Sequence, residues 1–431
     1  MAKLLKSRRS IVRSLTAMFG AFAAPAGAVA RQQAVRNGGS LPKLSNGSGL
    51  LKIDFDKAGA YLSDAAVHTA GFNRIGIGEG RYVHDKSASD VFAKQFPAAT
   101  ITDHSGRIFR LVQDRIGPSH FGAYGDGLRD DWPAWDECCR YARQFGIKTI
   151  FLNGSSLYGS KTFELPVGIN IESSGAVFYP LDNFEGDCVV STPDGEIYND
   201  VMIDSLSVDV LGKRSVSGQP ISGVIFKWIS YIRVGRVIVE NSTGNGLQIL
   251  KGKTGAPEGS THQLYLEYAS IKADKNADPE ATGVTIDGSD HFFGYGVVFG
   301  FSVGGSSVGS NNALGTWHVW SRYRAGWRQM RLGWDAVGEG NRGTIEVDSP
   351  GMVVPTEKPS LENGPVGIHV HGNAIRNRLD VIVNVSRWGD PGIRPPPMSI
   401  TPAMVEVKNS IIDVDVVDYL GRIAGVTTIK E

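Results

Sequence analysis

Short apolar runs that alternate with polar residues recur along the chain from about residue 200 onward. A second set of runs starts on glycine, and Gly223 and Gly246, which start two of them, lie 23 residues apart. That spacing is close to one turn of a β-solenoid, and the longer later spacings indicate inserted loops. Because one turn cannot bury its apolar faces alone, the pattern predicts stacked parallel coils. The alternating runs include residues 201–203, 234–239, 264–266, 378–385 and 411–417, and the glycine-initiated runs are residues 223–226, 246–249, 283–286 and 367–370.

One helix is predicted ahead of these runs, over residues 133–145. Pro133 lies in its first turn, where no backbone donor is lost, and Gly146 ends it. No long helical pattern follows, which argues against a βα barrel, and a β-sandwich explains the glycine-initiated runs less well. The helix presents one apolar face at helical spacing, formed by Trp135, Cys138, Cys139, Ala142 and Phe145.

The segments upstream predict a linker and a small mixed region. Residues 31–50 are rich in Gly, Ser and Asn without periodicity, which indicates a linker. Residues 51–116 contain two predicted strands, at 80–85 and 108–112, and a short helix at 89–96. The repeating body then spans residues 117–431.

The body opens with the sequence Phe-Gly-Ala-Tyr-Gly-Asp-Gly-Leu-Arg-Asp-Asp at residues 121–131. It resembles the opening motif of the pectate-lyase-like superfamily, which is Phe-Gly-Ala, any residue, Gly-Asp-Gly, two residues, Asp-Asp. The resemblance implies an all-β pectin lyase fold, a right-handed parallel β-helix with an N-terminal capping helix at 133–145. It also implies that the acids of the motif are structural, and either Asp130 or Asp131 can cap that helix.

The amino-acid composition of the chain limits which kinds of molecule it is expected to bind. Lys plus Arg equals Asp plus Glu at 44 each, but residues 1–30 hold five of the bases and no acid. The remainder carries 39 bases against 44 acids, a balance that does not favour nucleic acid. Beyond the N-terminus no apolar run is long enough to span a membrane. Cys138, Cys139 and Cys188 suggest neither a disulfide framework nor a zinc site, so we expect buried thiols and predict no metal and no cofactor.

Residues 1–30 have the organisation of a signal peptide. A basic segment at 3–13 precedes an apolar stretch at 15–24, and small residues at 28–30 would permit cleavage before Arg31. Residues 7–13, Ser-Arg-Arg-Ser-Ile-Val-Arg, resemble the twin-arginine export signal. The twin-arginine export machinery is therefore an expected partner, and a basic amphipathic anchor helix is the alternative.

The candidate catalytic group is Asp287, Asp290 and His291, directly after the glycine-initiated run at 283–286. Two carboxylates and an imidazole at a strand end could supply a general acid and a general base. An Asx-rich turn with a solvated histidine is the alternative.

The candidate substrate-binding segment is aromatic and basic, and four of the eight tryptophans lie within residues 317–334. Aromatic faces can stack on sugar rings, and arginines can pair with carboxylates of acidic glycans. On a regular strand, Trp317 would point to one face and His318 and Trp320 to the other. Filling of the coil interior by the tryptophans is the alternative. The predicted binding residues are Trp317, Trp320, Arg322, Arg324 and Trp327.

The resemblance carries no catalytic residue, because the polygalacturonase signatures Asn-Thr-Asp, Asp-Asp, Gly-His-Gly and Arg-Ile-Lys do not occur in order. Three functions therefore stay open. The first is an exported polysaccharide lyase or glycoside hydrolase, periplasmic or secreted. The second is a non-catalytic glycan-binding or envelope structural protein, and the third is a phage tailspike or depolymerase located on a virion tail. All three imply a polysaccharide partner and either a monomer or a homotrimer.

Overall fold

The computed structural model describes most of the chain between residues 43 and 426. The predicted signal peptide lies outside the described residues, as does most of the predicted linker. None of the helices that the structure describes is long and apolar enough to cross a membrane. The described residues are 43–44, 50–58, 61–62, 65–154, 156–251, 262–288, 292, 294–320, 330–350, 366–370, 376–386, 411–418 and 423–426.

Strands dominate the described residues. The helices are α1 Lys52–Ala58, α2 Asp90–Gln95, a short 3-10 helix Pro118–Phe121 and α3 Trp132–Phe145. The strands are β1 Lys43–Leu44, β2 Tyr61–Leu62, β3 Ala66–His68, β4 Arg81–His84, β5 Thr100–Thr102, β6 Ile108–Leu111, β7 Thr149–Leu152, β8 Leu157–Gly159, β9 Phe163–Glu164, β10 Asn170–Ser173, β11 Val177–Pro180, β12 Cys188–Ser191, β13 Tyr198–Asn199, β14 Met202–Asp209, β15 Ser222–Lys227, β16 Ile229–Ser242, β17 Leu247–Leu250, β18 His262–Ala273, β19 Thr282–Ile286, β20 Gly296–Phe299, β21 Val303–Ser307, β22 Ala313–Trp320, β23 Leu332–Ala336, β24 Arg342–Pro350, β25 Val366–Val370, β26 Arg378–Ser386, β27 Ile411–Asp418 and β28 Ile423–Val426.

The region before the body is a small antiparallel sheet with the strand order β3-β4-β6-β5. The two strands and the helix predicted there are β4, β6 and α2. Two residues of the predicted linker form β1, which pairs in parallel with β2. The region packs on α3, where the Glu137 carboxylate accepts a hydrogen bond from the Ala98 backbone N–H at 2.8 Å.

Helix α3 covers the N-terminal end of the coils, as predicted. Its Trp135 ring packs edge-on against Phe163 and Phe178 of the first coils, with centroids 6.1 and 5.6 Å away. The helix ends at Gly146, whose φ of 64° lies in the left-handed region. Phe145, predicted on the apolar face, is 36% exposed, and its ring packs edge-on against the Phe92 ring of the upstream region.

Two acids of the opening motif, Asp130 and Asp131, accept hydrogen bonds from backbone N–H groups. Asp131 is fully buried and accepts hydrogen bonds from the N–H groups of Tyr124 at 2.6 Å and of Tyr158 at 3.1 Å. Burial raises the pKa of Asp131, and these hydrogen bonds oppose the rise. Asp131 occupies the N-cap position without capping through its side chain, whereas Asp130 accepts from the Trp132 N–H at 3.0 Å. These acids tie the motif to α3 and to the first coils.

The body is a right-handed parallel β-helix flattened into two sheets. The long sheet runs β28-β27-β26-β24-β22-β20-β18-β16-β14-β10-β7, and the short sheet runs β25-β23-β21-β19-β17-β15-β12-β9. From β14 to β26 the chain alternates between the two sheets, and the short β13, directly before β14, pairs with β16. Pairing in both sheets is parallel, and the exception among the described strands is the pair β27–β28.

Side chains alternate between the interior of the coils and the outer face of each sheet. On the long sheet, Val298, Val319 and Val347 occupy one register position in consecutive coils and are almost completely buried. Register partners lie between 21 residues apart, as for Val298 and Val319, and 37 residues apart, as for Leu247 and Val284. The spread confirms that loops of different length are inserted between coils.

A ladder of glycines explains the predicted glycine-initiated runs. At Gly283, a Cβ would lie 2.1 Å from a methyl carbon of Val298 and 2.5 Å from the Gly304 carbonyl oxygen. These distances are far below van der Waals contact, so only glycine fits where the two sheets approach each other. The same crowding recurs at Gly223, Gly246, Gly304 and Gly333.

A second ladder, of buried asparagines, stacks the turns that lead into β22, β24 and β26. The Asn312 backbone N–H donates to the Asn341 side-chain oxygen at 3.0 Å, and the Asn341 N–H donates to that of Asn377 at 2.7 Å. Each side-chain amide also donates to a carbonyl of a neighbouring turn. The ladder fixes where each of these three strands begins.

The three cysteines are buried and form no disulfide with one another, as predicted. Burial raises the pKa of each thiol. They therefore act as small apolar residues in the core.

Candidate functional site

Aromatic side chains project from the outer face of the long sheet, on β18, β20 and β22 and directly before β20. Tyr265 and Tyr295 are 44% and 45% exposed. The Tyr268 ring lies 5.7 Å from that of Tyr295, and the Phe299 ring lies 4.4 Å from that of Trp320. We call these five residues the aromatic patch. Its exposed flat rings can stack on the apolar faces of sugars.

A cation borders the patch on β16. The Arg233 guanidinium lies 5.4 Å from the centre of the Tyr265 ring. Its ion pair with Glu267, at 2.5 Å, raises the pKa of Arg233. The contact holds the Tyr265 ring in place through a cation–π interaction.

Three titratable side chains lie beside the patch, on β22 and β24. The His318 Nε2 is 3.0 Å from an Asp348 carboxylate oxygen and 3.9 Å from one of Glu346. Strand register places His318 beside Glu346 and Trp320 beside Asp348, all on the outer face. We call His318, Glu346 and Asp348 the polar cluster, and each of its side chains is about a quarter to a third exposed.

The His318 imidazole has two competing partners at one nitrogen. The Trp320 indole N–H donates to Nε2, which requires a free lone pair there. The hydrogen bond between Nε2 and Asp348 forms when Nε2 carries the proton and the carboxylate accepts it. The two hydrogen bonds therefore place opposite requirements on Nε2, and only one of them forms at a time.

The polar cluster can support two kinds of chemistry. One ligand atom from each side chain lies within 4.8 Å of the others. Two carboxylates at such short range, on one exposed face, could serve as the acid and the nucleophile of a retaining glycosidase, for which about 5–5.5 Å is typical. An imidazole nitrogen with two carboxylate oxygens is also a ligand set that divalent cations accept.

The predicted catalytic group lies on the other sheet. Asp287 follows β19 of the short sheet, and its carboxylate is 3.1 Å from the Lys251 ammonium. Asp290 and His291 lie outside the described residues. The polar cluster is built on β22 and β24 of the long sheet, so Asp287 belongs to a separate location.

The predicted binding residues divide between core and surface. Trp317 has no exposed surface, and its indole N–H donates to the Leu314 carbonyl at 2.8 Å. It fills the coil interior beside Trp334 and drops out of the candidate site. Trp320 faces outward with His318, as the alternation predicts. Arg322, Arg324 and Trp327 lie outside the described residues.

Glu346 and Asp348 were not predicted as site residues from the sequence. The signal was local: the segment Thr-Ile-Glu-Val-Asp at 344–348 alternates β-branched residues with acids, which places both carboxylates on one face of a strand. Their meeting with His318 depends on which strands are neighbours, and no local pattern contains that information.

Comparison with known proteins supports the fold. No family model matches the chain, and no curated protein matches it. Among solved structures, the full-length tailspike protein 2 of an Escherichia coli bacteriophage, CAB120, is similar over 79% of this chain and 44% of its own, at 13% identity and a TM-score of 0.51. ORF18 of Geobacillus virus E2 is similar over 84% of this chain and 72% of its own, at 13% identity and a TM-score of 0.50.

A Pantoea stewartii protein described as a glycan biofilm modifying enzyme, with a tailspike-like parallel β-helix fold, covers 91% of this chain and 53% of its own, at 13% identity and a TM-score of 0.40. This chain thus spans about half the length of the tailspike and of the Pantoea protein. These structures resemble this chain in fold, and that fold is a right-handed parallel β-helix.

Proposed function

We propose that this protein binds a polysaccharide along the outer face of the long sheet and hydrolyses it at the polar cluster. One observation carries the proposal: five aromatic rings and a pair of carboxylates with an imidazole lie side by side on one accessible face. The rings offer stacking platforms for consecutive sugars, and the carboxylates offer the acid and the nucleophile. An extended sheet face suits attack within a long polymer.

The cluster favours hydrolysis over elimination. A lyase needs a base and a cation that holds the charge developing on a uronate. The polar cluster instead supplies two carboxylates, Glu346 and Asp348, which would repel a uronate bound directly over them. A hydrolase needs two carboxylates and no such cation. His318 would orient Asp348 through their hydrogen bond and carry a proton at Nε2.

Turnover of a polysaccharide panel tests the proposal. Glu346→Gln and Asp348→Asn should each lower the rate by about 10²–10⁴-fold, since each removes an acid–base or nucleophilic group. Glu172→Gln, an exposed ion-paired carboxylate on β10, is the matched control and should retain full activity. Full activity of both cluster variants, with folding intact, would overturn the proposal.

Asp287, Asp290 and His291 remain the competing location for catalysis. Their variants Asp287→Asn, Asp290→Asn and His291→Ala belong in the same assay. If these variants lose activity while the cluster variants keep it, the chemistry belongs at the end of β19. If the wild type binds glycans but degrades none of the panel, the protein is a non-catalytic glycan-binding protein, the second candidate function.

We further propose that residues 1–30 direct export by the twin-arginine pathway, which places the mature protein in the periplasm or outside the cell. Replacing both arginines, Arg8→Lys with Arg9→Lys, should block export, because the receptor recognises the guanidinium pair. Normal periplasmic levels of the double variant would contradict the proposal. A phage tailspike would need no export signal, and a mature N-terminus at Arg31 would argue against that alternative.

A further inference from the structure

Two arginines lie next to each other on the outer face of the long sheet, at the opposite end of the strands from the polar cluster. Arg342 of β24 and Arg378 of β26 are register partners, and both are exposed. Neighbouring strands are about 4.8 Å apart, so the two side chains leave the sheet side by side. Within the described residues, neither guanidinium has a hydrogen-bond or ion-pair partner.

Two other exposed arginines of the body have acidic partners. Arg233 pairs with Glu267 at 2.5 Å, and Arg376, two residues before Arg378, pairs with Glu339 at 3.1 Å. Like charges that face each other across adjacent strands are destabilising. The pair Arg342–Arg378 is therefore an arrangement that an external anion would stabilise.

The charges of this face are arranged along the strands. Arg342 and Glu346 lie four residues apart on the same face of β24, a separation of about 13 Å at 3.3 Å per residue. Asp380 is the next outward residue after Arg378 on β26. An anionic substituent is thus attracted to the strand starts and repelled from the carboxylates further along.

We infer that Arg342 and Arg378 form an anion subsite that binds a charged substituent of an acidic polysaccharide. This inference rests on the proposed function and names the substrate class of that face. The guanidinium pair matches a carboxylate, sulfate or phosphate with paired N–H···O bonds. Because the subsite and the polar cluster are separate, the anionic sugar binds away from the bond to be cleaved and sets the register of the polymer.

Binding measurements on the full chain test the subsite. The probes are alginate, polygalacturonate and hyaluronan, their carboxyl-reduced neutral counterparts, and dextran sulfate. Wild type should bind at least one uronic acid polymer at least tenfold more tightly than its neutral counterpart. The double variant Arg342→Gln with Arg378→Gln should lose that preference and bind the neutral polymer as wild type does. Arg143→Gln, which removes an exposed ion-paired arginine on α3, should change nothing.

A second readout separates the subsite from a structural role. The uronic acid polymer should raise the thermal unfolding midpoint of wild type and leave that of the double variant unchanged, while the free variants unfold like wild type. An equal loss of affinity for dextran sulfate would show that the subsite accepts sulfate groups as well as carboxylate groups. Undiminished anion preference in the double variant, equal binding of charged and neutral polymers, or no binding of any anionic probe would overturn the inference. Because none of these readouts involves turnover, they are independent of the Glu346→Gln result.

Discussion

Trp317 and Trp320, three residues apart on β22, face opposite environments and should respond differently to removal. Trp320→Ala removes an outward ring of the aromatic patch, so glycan affinity should fall by about 1–3 kcal/mol, by analogy with stacking on nucleic acid bases. Trp317→Ala empties a buried site between Leu314 and Trp334, so the free energy of unfolding should fall by about 3–5 kcal/mol.

Glycan titration and denaturant unfolding of both variants check this prediction. Each variant is the control for the other, since both lose an indole from the same strand. Loss of affinity in a Trp317 variant that keeps its full stability would place the binding surface elsewhere. Unchanged affinity in Trp320→Ala would remove Trp320 from the patch.

The polar cluster should work without a metal ion. Acid–base chemistry needs only the carboxylates of Glu346 and Asp348 and the His318 imidazole, so dialysis against EDTA should leave the turnover rate unchanged. His318→Gln should lower that rate, because Asp348 loses the imidazole that orients it. If EDTA abolishes activity and a divalent cation restores it, the three side chains are metal ligands instead.

At the scale of elements, the asparagine ladder should matter more than any exposed asparagine. Asn341→Ala leaves the buried Asn312 N–H without its acceptor and the Gly309 carbonyl without a donor. Each unsatisfied group costs about 1–3 kcal/mol, so denaturant unfolding should show a loss in that range or above. Asn199→Ala, at an exposed asparagine of β13, is the matched control. Equal stability of the two variants would contradict a structural role for the ladder.

The positions of glycines and the alternation of apolar and polar residues made the strands predictable. The register between strands could not be predicted from them. The runs at Gly223, Gly246 and Gly283 were predicted because each pairs a forced glycine with apolar neighbours. The runs that contain Gly304 and Gly333 were not predicted, because their apolar pattern is weak. Residues 303–307 are Val-Gly-Gly-Ser-Ser, and residues 332–336 include an outward acid, Asp335. A steric requirement for glycine is therefore visible in the sequence only where the apolar pattern beside it is also strong.

The candidate site could not be predicted for a related reason. Coil lengths between 21 and 37 residues separate register partners, so His318 meets Glu346 and Asp348 only after the loops have been placed. The opening motif, by contrast, is contiguous, and its role in holding backbone through Asp131 followed from resemblance. Local sequence patterns thus predicted the coils and the capping helix α3. They did not predict which side chains meet on the outer faces of the sheets.

At the scale of the whole molecule, the parallel β-helix turns short strands into one extended surface. Outward positions at one register form rows across coils, such as Lys272, Phe299, Trp320 and Asp348 on β18 to β24. At about 4.8 Å per strand, such a row offers regularly spaced contacts to a polymer lying across the strands. A compact fold would enclose a short ligand instead, which is why this architecture suits a polysaccharide.

The most direct test of the proposed site is a crystal structure of Glu346→Gln with an oligosaccharide from whichever polymer the wild type degrades. We predict a glycan on the outer face of the long sheet, with one ring stacked on Trp320 or Tyr295. A glycosidic oxygen should lie within hydrogen-bond distance of Asp348 or of the substituted side chain. A glycan bound along the short sheet, or beside Asp287, with the outer face of the long sheet empty, would contradict it.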